Sequence, residues 1–443
     1  MLYSNRDLRN LLIPLVLEQL LTGFVGVVDT MMVTRVGDTA ISAVSCVDSV
    51  NTLMLYLFSA LATGGTIVCS QYMGRKDENG ARNAARQVYF VGAALSCTLM
   101  LICILLRGPI LRLVFGSVEE AIMTQAIAYF GITALSYPFM AIQQTGAALF
   151  RAEGNARLPL VITGIANLIN IAGNGVLIFA LRLGVIGAAI ATLACRIFAA
   201  LVLMYFQRKP NHIIRVDHYL SIRPQGATIR MVLKVGIPSA IENSLFQFGR
   251  LAVQSTVSTL GTTAIAAQAM TYMLDIFQSY SGQAVGLGVL TVVGTCLGAG
   301  ELQQAKYYTK KMLAICECLI LGTGVILLLI AKPIMRLSGL SAEASALSFK
   351  LIVWIVLIKA VLWALSFTLP NTLRAAGDVA FTAVVSGASM WIFRVGMSWV
   401  LCRYLDFGLE GVWIGWFTDW LVRASVYVLR YRSGKWAQKH VLD

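Results

Sequence analysis

The chain predicts an all-α polytopic membrane protein: about 12 transmembrane helices in two six-helix lobes related by a pseudo-twofold axis along the membrane normal. Three observations carry this. Hydrophobic residues make up 58% of the 443 and charged residues only 13%, against the roughly one quarter charged of soluble domains. The apolar residues fall into stretches that meet the ~20 residues needed to cross a bilayer. The chain also repeats itself at an offset of 224, so that Pro14 and Glu18 recur as Pro238 and Glu242, Gly37 and the helix start behind it as Gly261, and Gly187 as Gly411. A third match, Arg151-Ala-Glu-Gly154 with Arg374-Ala-Ala-Gly377, slips by one residue. Duplicated bundles of this kind are a common architecture of secondary transporters, in which one copy rocks against the other around a central site.

In chain order the expected spans cover 11–34, 44–73, 87–106, 122–150, 160–181 and 185–206 in the first copy, then 232–259, 265–297, 312–331, 346–370, 380–401 and 409–430 in the second. The first lobe is therefore 1–206, the polar stretch 207–231 with Pro210 and Pro224 is a basic cytoplasmic linker, and the second lobe is 232–443 with a short basic tail. The first span has no short apolar core followed by a small-residue cleavage site and reads as retained. Short connectors at Gly74–Gly80 and Gly298–Gln304 occupy equivalent places in the two copies and read as turns and helix starts.

The net charge of +14 does not point to nucleic acid, because of where the basic residues fall. Arg75, Lys76, Arg82, Arg86, Arg208, Lys209, Arg215, Arg223, Lys310, Lys311 and Arg430 crowd the connectors on one side; the other side holds only Arg35, Arg107, Arg112, Arg182, Lys332, Arg336, Lys350 and Arg403. This positive-inside bias places both termini in the cytoplasm of a cell that carries the chain in its plasma membrane. Lipid is the expected surroundings, and two fused repeats make a monomer sufficient. The cysteines sit mostly in apolar spans as small core residues, and the three scattered histidines make no metal site, so neither a disulfide framework nor a metal enzyme is expected. Nothing resembles a repeated filter loop, which argues against a channel.

An ionisable side chain inside a span costs ~3 kcal/mol or more at the bilayer centre, so each demands a partner, water or a function. Glu18, Thr22, Val25 and Asp29 share one face of the first span, with Glu18 and Asp29 about 16 Å apart along the axis. Asn167, Asn170 and Asn174 share a face of the fifth, and Thr192 and Arg196 lie one turn apart in the sixth. A carboxylate with amide and hydroxyl oxygens suits a small hard cation or a proton, whereas asparagines alone are often interhelical glue. The second copy carries Glu242, Arg250, Asp275, Lys359, Arg394, Asp419 and Arg423. Asp419 and Arg423 are spaced to pair along one helix. Glu18, Thr22, Arg196, Glu242, Arg250 and Lys359 are candidates to line a substrate cavity. Asp48 and Glu317 read as structural groups near span ends. Tryptophans crowd the last three spans, where packing and interface belts account for most of them.

These residues resemble the multidrug and toxic compound extrusion (MATE) transporters. The likeness is carried by Pro14 to Gly37 with its Gly26-Val-Val-Asp29-Thr-Met-Met, by Arg151-Ala-Glu-Gly-Asn155, by the asparagine pattern of the fifth span and by Gly187-Ala-Ala-Ile-Ala-Thr192. The resemblance implies efflux of organic, mostly cationic, small molecules by antiport with protons or sodium ions, no cofactor, and a first-lobe ion site at Asp29, Asn170, Asn174 and Thr192. Related members carry an aspartate where this chain has Asn174, and the second-lobe acid of one branch would fall near Trp363, so coupling is expected in the first lobe. The alternative is a lipid-linked oligosaccharide flippase of the same superfamily, which would need Arg196, Arg250, Lys359, Arg394 and Arg423 to converge on one cavity. The charge asymmetry makes a direct prediction: a green fluorescent protein fused to the C-terminus fluoresces in a bacterial host, whereas alkaline phosphatase fused after Arg182 is active only because that loop lies outside.

Overall fold

The structure, a computed structural model, describes residues 2–116, 118–217, 219, 222–439 and 441–442; of the three histidines, His218 and His440 therefore lie outside the described residues. Among them the chain is helical throughout and divides into two units, Asn5–Ala240 and a second made of Met1–Ser4 with Ile241–Asp443.

In the first unit the spans are α1 (Asn5–Thr34), α2 (Asp38–Gly74), α3 (Glu78–Leu105), α4 (Glu120–Leu135 and Tyr137–Ala152, bent by 46°), α5 (Arg157–Ala180) and α6 (Gly184–Gln207). A nine-residue helix, Arg107–Phe115, joins α3 to α4. The second unit holds most of α7 (Gly226–Ser258) and then α8 (Thr262–Gly298), α9 (Leu302–Leu337), α10 (Ala342–Ala375), α11 (Val379–Tyr404) and α12 (Gly408–Arg432). Nine of these and the bent α4 are long and apolar enough to cross a membrane. The two that fall short, α7 and α12, are as long but are interrupted by Glu242 and Arg250 and by Asp419 and Arg423.

The repeated glycines have physical causes. Gly37 and Gly261 start α2 and α8 at φ +133° and +90°, and Gly154 and Gly377 end α4 and α10 at +83° and +96°, a region that a side chain makes costly. Gly187 and Gly411 instead mark close approaches: a Cβ at Gly187 would meet the Leu177 backbone at 2.9 Å, and one at Gly411 the Leu401 and Phe407 side chains at 3.0 Å. The offset of the repeat drops from 224 to 223 between Gly261 and Gly377 and returns to 224 between Gly377 and Gly411. There α11 carries an eight-residue π-helical segment, Met390–Met397, where its counterpart α5 carries the six-residue Gly175–Ala180; such wider turns absorb an inserted residue without breaking a helix.

The division falls inside α7, two residues beyond Pro238, and not at the end of the polar linker. The linker is stapled to the first unit. Gln87 Nε2 donates to the Arg223 carbonyl at 3.0 Å, Gln225 N–H returns to Gln87 Oε1 at 3.0 Å, and Arg82 Nε donates to the Ile213 carbonyl at 2.9 Å. Glu153, from the repeated Arg151-Ala-Glu-Gly motif, accepts the Ile214 N–H and lies 3.0 Å from His212 Nδ1. Asp77 caps α3 by accepting the Gly80 N–H at 2.8 Å, so the Gly74–Gly80 connector is the expected turn.

Burial raises the Glu153 carboxyl above the ordinary glutamate range, against the lowering effects of the Ile214 N–H and of His212. A raised carboxyl favours the docked linker below its unfolded value, about 4.3, and loses that advantage as pH climbs through the folded value. Protease cleavage within 207–225 should thus accelerate as pH rises from about 4 upward. Glu153→Gln flattens this dependence, and Glu153→Ala speeds cleavage at every pH.

Candidate functional site

Each lobe first matches its own buried charges. Glu18 on α1 is buried against Arg151 at the end of α4, 3.4 Å away, and Glu242 on α7 lies 2.6 Å from Arg374 at the equivalent end of α10. The arginine of each repeated motif is therefore the counterion of the glutamate in the first helix of its own copy. Lys359 on α10 is wholly buried, 2.5 Å from Asp275 Oδ1 of α8 and donating to Ser279 Oγ at 2.6 Å, with Trp363 stacked 4.4 Å from its ammonium. Glu18, Glu242 and Lys359, expected as cavity candidates, are thus ion-paired core groups. Their partners lie on distant helices and could not be read from local spacing.

The remaining second-lobe charges also converge. Asp419 of α12 accepts Arg423 Nε at 2.8 Å and Ser389 Oγ at 2.6 Å through Oδ1, and Arg394 Nε and Nη2 at 2.9 and 2.6 Å through Oδ2. The Asp419–Arg423 pairing expected along one helix is present, and Arg394 from the π-helical segment of α11 joins it. Trp416 lies 4.5 Å over the Arg394 guanidinium and Phe246 lies 4.4 Å from that of Arg423. Trp363, Trp413, Trp416 and Trp420 are buried; Trp363 and Trp420 lie against Lys359 and Trp416 against Arg394, whereas Trp391 and Trp399 are exposed. Arg250 is exposed on α7 and donates to Tyr272 OH at 2.8 Å. Glu317, midway along α9, accepts the Ala364 N–H at 3.1 Å where α10 widens into a π turn, a structural role.

In the first lobe the four residues of the expected ion site meet. Asp29 Oδ1 accepts a short hydrogen bond from Asn174 Nδ2. Asn174 also reaches Asn170 Oδ1 at 3.4 Å, and Asn170 Nδ2 donates to Thr192 Oγ1 at 3.4 Å. Helix α5 turns π-helical immediately after Asn174, and π turns often mark functional positions. Asn170 and Asn174 are buried, and Asn174 Oδ1 has no hydrogen-bond donor. A buried acceptor without a donor costs ~1–3 kcal/mol, and a bound cation removes that cost. Asn167, on the same face of α5, stands outside this chain, its Nδ2 buried without an acceptor. Thr22 is exposed and bonded back to the Glu18 carbonyl at 2.8 Å.

Two further charges flank the set. Arg196 of α6 is half-buried and donates to Ser136 Oγ at 2.5 Å. Asp48, expected near a span end, lies ten residues inside α2, within electrostatic range of both Asp29 and Arg196. The sequence did carry a signal for it: Ser45, Asp48, Ser49, Thr52 and Tyr56 recur at helical spacing along an apolar helix.

The profile of the MatE family matches residues 14–176 and 238–400, one match to each copy. A Bacillus subtilis protein described as the uncharacterized transporter YisQ is 26% identical over 96% of this chain and 94% of its own. The probable multidrug resistance protein NorM of Thermotoga maritima is 24% identical over 99% of this chain and 94% of its own. Among solved structures, an outward-facing multidrug resistance MATE family transporter of the MOP superfamily superposes with a TM-score of 0.91 at 19% identity, covering 98% of this chain and 96% of that one. A MOP superfamily transporter from Pyrococcus furiosus, described as having a binding pocket of reversed polarity, gives 0.89 at 20%, covering 97% and 95%. These structures share the fold: two lobes and 12 transmembrane helices.

The paired glutamates make a stability prediction. Glu242→Ala leaves Arg374 without its buried counterion and lowers stability by about 3–5 kcal/mol, whereas the double change Glu242→Met with Arg374→Met costs less than either single one. Thermal unfolding of the detergent-solubilised protein followed by tryptophan fluorescence checks the order.

Proposed function

From the chain's membership of the MatE family, which makes it a multi-pass membrane transporter and not an enzyme, we propose that it exports organic cations by antiport with protons or sodium ions held at Asp29, Asn170, Asn174 and Thr192 in the first lobe. The carrying observation is the Asn174 carbonyl oxygen, buried beside a carboxylate with no donor to satisfy it. A carboxylate, two amides and a hydroxyl form an acceptor-rich set of the kind that suits a small hard ion.

The second lobe supports the same assignment by contrast. Its acids Asp275 and Asp419 are already matched by Lys359 and by Arg394 and Arg423, so an incoming cation would have to displace a tethered one. The same pairing weighs against the flippase reading: three of the five basic residues it needs are already tied to carboxylates inside the second lobe, and Arg196 belongs to the first.

Exchange requires that ion and substrate favour different conformations or exclude each other, since only differential affinity moves the equilibrium. If one monovalent ion enters for each monovalent cation leaving, no net charge crosses. The membrane potential, worth ~2.3 kcal/mol per charge per 100 mV, then does no work. A tenfold ion gradient would supply ~1.4 kcal/mol. Both termini are assigned to the cytoplasm by the charge asymmetry, and a monomer holds every residue invoked.

The deciding experiment is efflux of a cationic dye from proteoliposomes under an imposed pH gradient or, separately, a sodium gradient. Wild type transports with one of them, and Asp29→Asn loses gradient-driven efflux by about a hundredfold, the order expected for removing the charged member of such a coordination set. Equal coupled transport by the variant refutes the site.

A further inference from the structure

Helix α2 buries Ala43, Val44, Val47 and Phe58 in the first lobe, yet its opposite face is open along Ser45, Asp48, Ser49 and Tyr56, with Thr52 partly so. These positions fall on one side at helical spacing. A polar stripe on a spanning helix with a carboxylate at its middle does not face hydrocarbon, where the charge costs ~3 kcal/mol or more; it lines water. The repeat lacks it. The equivalent positions of α8 are Ala269, Tyr272, Met273, Ile276 and Tyr280, without an acid.

Asp48 is held from below and open above. Its Oδ1 accepts Asn51 Nδ2 at 3.3 Å and Tyr129 OH at 3.4 Å, and Asn51 Oδ1 accepts Tyr137 OH at 3.1 Å. Asn51, Tyr129 and Tyr137 are buried. Among the described residues Oδ2 takes no hydrogen bond. Arg196 lies in range of Asp48 and Asp29 alike but pairs with neither within 4.0 Å, being held by Ser136. Two acids therefore share one base.

The setting separates the two acids. Asp29 is half-buried and bonded to the buried Asn174, a setting for a small ion; Asp48 stands exposed on a broad face, with the Tyr56 ring two turns along to cover an apolar body. We propose that Asp48 anchors the cationic group of the exported molecule and that Arg196 is its built-in competitor. This rests on the ion-exchange reading above. With the exported cation on Asp48, Arg196 is held between Ser136 and the field of Asp29. A small ion that neutralises Asp29 removes that pull, and the guanidinium turns to Asp48, where a charge-assisted pair displaces the organic cation. The competition needed for antiport would then run through one side chain.

The test is equilibrium binding of radiolabelled tetraphenylphosphonium to the purified full-length protein at fixed pH and salt. Asp48→Asn should weaken binding about tenfold or more, and Asp48→Glu should recover most of it, as a charge contact worth ~1.4 kcal/mol per tenfold predicts. Arg196→Gln should bind several-fold more tightly than wild type. Ser45→Lys, which places an ammonium one turn from Asp48 on the exposed face and leaves the buried tyrosines untouched, should weaken binding even if Asp48→Asn does not fold. Undiminished binding by Ser45→Lys or Asp48→Asn, or weaker binding by Arg196→Gln, overturns the proposal while ion-driven dye efflux can still stand. Gradient-independent efflux by wild type, in contrast, removes the exchange reading and leaves a measured phosphonium site at Asp48 intact.

Discussion

The cost of an unmatched charge in lipid governs this molecule more than any other term. Hydrocarbon supplies no water to an exposed carboxylate or guanidinium, so every ionisable group within the spans must find a partner or face water. Duplication met that demand twice with one device. The glutamate near the start of each copy pairs with the arginine that closes the fourth helix of the same copy, Glu18 with Arg151 and Glu242 with Arg374. The pairs cross-link the first and fourth helices of each bundle, where an association driven by packing alone has little to gain over lipid.

Beyond that shared clasp the copies diverge in charge. In the second lobe Lys359, Arg394 and Arg423 surround two carboxylates and lie against Trp363, Trp416 and Phe246, three cations sharing two acids and a set of aromatic faces. In the first, Arg196 faces Asp29 and Asp48 without closing a pair with either, and an asparagine oxygen is buried without a donor. One scaffold thus carries a lobe whose buried aspartates are closely ion-paired and a lobe in which Asp29 and Asp48 share Arg196 without a close ion pair. That open arrangement is the reason the exchange is proposed for the first lobe.

The π-helical segments belong to the same account. The fifth span widens at its C-terminal end, next to Asn174, and the eleventh near its middle, around Arg394. A widened turn rotates the side chains that follow and leaves a backbone N–H or carbonyl to be satisfied elsewhere. In the tenth span the carboxylate of Glu317 meets such a freed N–H. Irregular backbone at membrane depth is tolerated because protein groups, and not lipid, complete its hydrogen bonds.

Much was legible in the primary structure because lipid makes its demands locally. Apolar length marks the spans and the repeat identifies two copies; glycines at positive φ recur because each copy turns its chain at the same places. The set of Asp29, Asn170, Asn174 and Thr192 was also within reach, since family likeness and helical spacing both pointed to it. What sequence could not supply was pairing across helices. Glu18, Glu242 and Lys359 look like cavity groups when read along their own helices, and their counterions lie 133, 132 and 84 residues away. Asp48 reads as a terminal group because it lies close to the start of an apolar run, whereas α2 begins earlier, at Asp38, and holds it ten residues inside the helix. Helical period is a property of the chain, but whether a charge is matched depends on which distant helix packs beside it, and only tertiary structure decides that.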